Sequence, residues 1–142
     1  MTGWAGIDPA AWAGSANAIM TGLLRNSVQA LAEEASKTIP NGGRVPVKTG
    51  DLARSVVVSL TPPTVKDGPF TGDITTGIAG IQPGDTIYLG WQARYSARQN
   101  FGFVGEDSLG RTYAQSGFGF AEAAAAKWDS IVMAEAARLG GR

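Results

Sequence analysis

The chain contains no cysteine and no histidine. Those two absences exclude disulfides, zinc sites of the Cys/His kind, a cysteine nucleophile, and every catalytic pair in which an imidazole takes a proton from serine or thiol. Charge is sparse as well: 17% of residues are charged, and twelve Lys and Arg balance twelve Asp and Glu. A neutral sum gives no general pull toward nucleic acid or an anionic membrane. No apolar run approaches the roughly 18 residues of a membrane span. The N-terminal stretch to Leu24 carries Asp8 and neither Lys nor Arg, so it lacks the basic region of a secretory signal, and cytosolic synthesis is expected. What is present is 142 residues, 44% of them hydrophobic. That length suits one domain, 1–142, able to bury roughly 68 to 70% of its unfolded surface. Twenty glycines and seven prolines are expected to mark its loops.

Asp8-Pro9 reads as a helix N-cap followed by proline at the first helical position, where its missing N–H costs nothing. Ala16, Met20, Leu24, Val28, Leu31 and Ala35 then form an apolar stripe at helical spacing, stopped by Pro40 and Gly42-Gly43. Thr49 is placed to cap a short turn through Asp51–Arg54, and Ser55–Leu60, with three valines, reads as a strand. Thr61–Gly72 holds Pro62, Pro63 and Pro69 and is expected to form an exposed arm. Asp73–Ile81 and Thr86–Trp91 read as strands joined by the turn Gln82-Pro83-Gly84-Asp85. Tyr95–Phe101 reads as a short helix ended by Gly102 in the left-handed region. Phe103–Gly117 is expected to be an exposed loop, and an amphipathic, Ala-rich helix follows from Phe120. The expected architecture is α+β: a small antiparallel sheet of three or four strands packed against a long N-terminal helix and a C-terminal helix, with protruding loops.

Candidate chemistry is thin. Asp107-Ser108-Leu109 has no histidine to activate its serine and reads as an exposed polar loop. Gly117-Phe118-Gly119-Phe120 lacks the Lys-Ser/Thr ending of a phosphate loop and reads as a flexible lead-in whose aromatics enter the core or a neighbour. Glu33 and Glu34 point about 100° apart on a helix and belong to a solvated face. Arg44, Lys48, Arg54, Arg94 and Arg98 fall in two short windows and would make a phosphate-binding patch if folding joined them. Trp91 and Trp128 are expected in the core. Trp4 and Trp12 are candidate interface anchors, a role in which tryptophan is enriched. No catalytic, cofactor or metal residue is assigned.

One pair of blocks is more specific. Pro46-Val47-Lys48-Thr49-Gly50-Asp51-Leu52-Ala53-Arg54-Ser55-Val56, followed by strands, by Tyr95-Ser96-Ala97-Arg98-Gln99-Asn100-Phe101-Gly102 and by a final Ala-rich helix, resembles the tail-completion or head–tail joining (neck) proteins of long-tailed lambdoid bacteriophages. The resemblance covers about residues 10 to 138. It rests on Pro46, Thr49, Gly50, Leu52 and Ser55 in the first block and Tyr95, Phe101 and Gly102 in the second. These read as a folding signature: Thr49 a cap, Gly50 a tight corner, Leu52 a buried anchor. The chain departs from the family at Gln99-Asn100, where an acidic residue is common. The resemblance implies a non-enzymatic virion protein, assembled in the host cytoplasm into a homo-oligomeric ring of six. It would join head connector to tail tube, touching adjacent neck and tail-tube proteins and passing DNA without reading its sequence. No cofactor, membrane or small-molecule substrate is implied. Pro62, Pro63, Phe70, Phe103 and Tyr113, with Trp4 and Trp12, are the expected contacts to neighbouring subunits or rings. A tail terminator or head-closure ring is the alternative within the neck, and a small DNA-binding module is the alternative from another class.

Overall fold

A computed structural model describes residues 9–47, 50–106 and 112–140. Helix α1 runs Pro9–Ala35, 27 residues, with proline first as its fixed φ favours. Its stripe is buried only in the second half. Val28, Ala32 and Ala35 are core residues, whereas Met20 is 58% exposed. A 3₁₀ turn at Ile39–Asn41 follows, closed by Gly42 at φ +87°. The chain then doubles back, with Ile39 N–H donating to Val45 O and Val45 N–H to Lys37 O. Helix α2 (Asp51–Arg54) begins after Gly50 at φ +84°, a conformation costly for any other residue. Strand β1 (Val56–Ser59) follows, its Val56 and Val58 facing inward.

Asp73–Ile81 is not a strand. Thr75–Ala79 is helix α3, and Ile74, Ile78 and Ile81 repeat at four and three residues, turning one helical side to the core. The Asp73 carboxylate accepts from Thr75 N–H at 2.9 Å and starts the turn. Gly77 lets α3 lie directly on β1, since a Cβ there would sit 2.0 Å from Val58 O. The Gln82–Asp85 turn forms as expected, with Asp85 N–H donating to Gln82 O and Gly84 at φ +93°. Strand β2 (Tyr88–Trp91) pairs antiparallel with β1, Val56 opposite Trp91 and Ser59 opposite Tyr88.

Helix α4 (Ser96–Phe101) ends at Gly102, whose φ of 91° is positive but whose ψ of 175° is extended, outside the left-handed helical region expected. The expected loop after it is instead a hairpin: β3 (Gly102–Glu106) pairs antiparallel with β4 (Thr112–Ser116). The described strands thus form two separate two-stranded ladders, not one sheet of three or four. The last helical region divides into α5 (Phe120–Ala126) and α6 (Trp128–Gly140), and α1 packs against both.

Two apolar clusters hold these elements. In the first, Val28 and Ala32 meet Val58, Ile78 and Ile81, with Leu89 and Trp128 packed around them. In the second, Val45, Leu52, Ala93 and Phe120 meet, and Trp91 stands edge-on to Phe120 at 4.7 Å. Each large side chain so buried contributes roughly 1.5–3 kcal/mol.

Candidate functional site

The second cluster anchors the first sequence block and lies beside the start of the second. Leu52 of the first is 2% exposed and touches the same core as Ala93, which leads into the second. Ser55 is buried, its Oγ donating to Leu52 O at 2.8 Å, while Ser55 O accepts from Gln92 N–H at 3.0 Å. This serine closes α2 and starts β1 in one residue. Above the core, Pro46, Val47, Gly50, Asp51 and Leu52 from the first block face Tyr95 and Gln99 from the second across a solvent-open pocket of about 580 Å³. Val47 is 51% exposed and Tyr95 42%. Phe101, on α4, is 74% exposed. Thr49 and Lys48 lie outside the described residues, so the expected Thr49 cap does too; Gly50 directly precedes α2.

Asn100 organises the second block. Its side chain is 5% exposed, and its Oδ1 accepts from Ala121 N–H at 2.9 Å, capping α5 from outside that helix. Its Nδ2 donates to Glu122 Oε1 at 2.9 Å. The backbone adds two bonds, Phe118 N–H to Gln99 O and Gly119 N–H to Asn100 O. Gly117 permits this closeness, because a Cβ there would lie 2.2 Å from Asn100 O. A carboxylate at position 100 would face that of Glu122, so an amide suits this position. No feature of composition or spacing marked Asn100; its role depends on Glu122, 22 residues away.

No family model, curated protein or solved structure matches the chain. The five basic residues do not form a bare patch. Arg54 is held by Asp51 at 2.8 Å and Arg94 by Asp67 at 2.7 Å, and Lys48 lies outside the described residues. Among the described residues no cluster of three Asp or Glu is placed to hold a metal ion, and no helix is long and apolar enough to cross a membrane.

The expected contact residues divide. Pro62 is exposed and Pro63 half-buried, but Phe70 packs inward against the second cluster. The arm around them is mostly exposed and is tied to the chain after β2: Lys66 N–H donates to Gln92 O, and Arg94 meets Asp67. Phe103 and Tyr113 stand on β3 and β4, opposite Gln115 and Gly105. Trp12 lies in the first turn of α1, while Trp4 and Asp107-Ser108-Leu109 lie outside the described residues. Phe118 and Phe120 enter the core, as expected of the glycine-flanked lead-in. Glu34 does more than sit on a solvated face. It receives Lys37 at 2.9 Å and also Lys127, tying α1 to the junction of α5 and α6, and both lysines hold its carboxyl below the usual range.

Proposed function

We propose that the chain is a structural, non-enzymatic subunit of a phage neck, forming a ring between head connector and tail tube through which DNA passes. The observation that carries this reading is the convergence of the two motif blocks. Both segments that resemble neck proteins, Pro46–Ser55 and Tyr95–Gly102, line one open pocket, and Leu52 of the first anchors the core beneath it. What that corner demands of its residues is shape: a glycine at φ +84°, a buried leucine, a serine closing a turn. Exposed Val47, Tyr95 and Phe101 give the surface an apolar character suited to protein contact.

A closed ring needs two different faces on each subunit. The pocket corner is one, and the tied arm with the β3–β4 hairpin is the other. Tail termination and head closure are the alternative places for such a ring. The DNA-binding module is less favoured, because carboxylates hold Arg54 and Arg94. Mass spectrometry and electron microscopy of virions test the reading: the chain belongs in particles, in a ring at the head–tail junction. A chain absent from particles and without a ring-forming partner would refute it.

A further inference from the structure

A second pocket, of about 420 Å³, lies where the end of α1, the turn after it and α5 meet. Its wall has an apolar part and a charged part. Ala35, Phe120 and Ala124, all buried, supply the first. Glu34, Arg44 and Lys127 supply the second. Gly42 and Gly43 add no side chain, and Gly43 admits none, because a Cβ there would sit 2.0 Å from Lys37 O. The three charges differ in their commitments. Glu34 receives Lys37 at 2.9 Å and also Lys127. The Arg44 guanidinium has neither a hydrogen bond nor an ion pair among the described residues. It stands beside the start of α5, its Nη1 4.0 Å and Glu122 Oε2 3.9 Å from the place a Cβ would take at Gly119. Arg44 and Lys127 against Glu34 leave the wall one positive charge in excess. Just outside it, Lys37 on Glu34 and Glu122 near Arg44 offset each other.

We propose that this pocket binds a small molecule with one carboxylate and a short apolar body, the carboxylate on Arg44 and the body against Phe120 and the alanines. The volume falls within the roughly 300–1,000 Å³ of ligand sites, which pair an apolar lining with a few polar groups. The excess of one positive charge decides the ligand's charge. A monoanion neutralises it, whereas a phosphate monoester brings a second negative charge toward Glu34. The guanidinium fork matches a carboxylate with two parallel N–H donors. Lys127, which carries three donors, meets Glu34 and has others to give. The buried phenylalanine and alanines offer cover to a hydrocarbon chain, and each CH₂ that they take from water tightens binding by up to about fourfold. The site is independent of the neck reading.

Titration of the full chain with sodium hexanoate, followed by amide NMR shifts, tests it against butyrate, hexan-1-ol and hexylammonium. Hexanoate is expected to move the amides of Arg44, Ala123 and Lys127 with a dissociation constant on the order of 1 mM, as suits so small a ligand. Butyrate is expected to bind about fourfold more weakly or worse, and hexan-1-ol and hexylammonium more weakly still. Arg44→Met leaves no partner behind and is expected to weaken hexanoate by about tenfold without changing hexan-1-ol. Arg44→Lys keeps the charge without the fork and falls between. Glu34→Gln releases Lys127 and tightens hexanoate. Circular dichroism checks each variant's fold, and the probe series on the wild-type chain tests the proposal without any variant. Hexylammonium binding as tightly as hexanoate, butyrate equal to hexanoate, an unchanged Arg44→Met, or shifts confined to other residues would overturn the proposal. So would a short peptide ending in leucine with a free C-terminus that binds more than about tenfold tighter than hexanoate, since the pocket would then belong to a polypeptide chain end.

Discussion

Asn100→Ala is the substitution that most directly probes how the second motif block is built. It removes two side-chain bonds, Oδ1 to Ala121 N–H and Nδ2 to Glu122, both 2.9 Å. Loss of a helix N-terminal cap costs about 1 kcal/mol, with a range of roughly 0.5–2. Glu122 is exposed, so water replaces the second bond in part and its loss adds about 0.5–1 kcal/mol. The sum is about 2 kcal/mol, or a fall in Tm of about 5–8 °C for a chain of this size. Urea unfolding followed by tryptophan fluorescence is the assay, because Trp91 stands 4.7 Å from Phe120 in the first turn of α5 and reports its docking. Two controls divide the effect. Glu122→Ala keeps the cap and should cost less than half as much. Asn100→Asp keeps the acceptor for Ala121 but sets two carboxylates together, so its penalty grows as pH rises through the carboxylate range. If Asn100→Ala unfolds within about 0.5 kcal/mol of wild type, the reasoning about this corner is wrong.

Three other expectations follow from the same geometry. Gly117→Ala places a Cβ 2.2 Å from a backbone carbonyl that cannot swing aside; a loss exceeding that of Asn100→Ala, or failure to accumulate folded protein, is expected from urea titration. Ser27→Ala removes a buried hydroxyl without a partner among the described residues and should stabilise the chain by about 1 kcal/mol in the same titration. Glu34, held below its ordinary pKa first by Lys127 and then by Lys37, contributes stability above the unfolded-state value that is lost as pH falls through the lower folded one. Glu34→Gln should therefore flatten the acid limb of a stability-against-pH curve, by less than about 1 kcal/mol because both lysines stand in solvent.

Local rules made some of this fold legible in the sequence. Proline opening α1, the Pro83-Gly84 turn, β1 with its valines and the buried Leu52 all follow from conformational preference or from burial of a single anchor. The strand expected at Asp73–Ile81 went wrong because β-branched residues outweighed a period that was present: Ile74, Ile78 and Ile81 are spaced for a helix, and Gly77 fits only because β1 runs beneath it. The β3–β4 ladder after Gly102 was hidden by the glycines and polar residues of Phe103–Gly117, which outweighed the strand-forming character of Phe103-Val104 and Thr112-Tyr113. The stripe on α1 was correct in phase and too long in extent, since periodicity says which side of a helix is apolar and not where the body it packs on begins. Of the site, the two blocks were visible as short motifs. Asn100 was not, because a buried cap supplied from another helix leaves no local pattern.

The central claim is that this chain is a ring subunit whose function is shape and contact. Cryo-electron microscopy of intact virions, with this chain labelled, tests it most directly. The account predicts labelled density closing into a ring at the head–tail junction, with the corner formed by Pro46–Ser55 and Tyr95–Gly102 against a neighbouring protein. Particles without the label, from a chain that also meets no ring-forming partner in the infected cell, would contradict it.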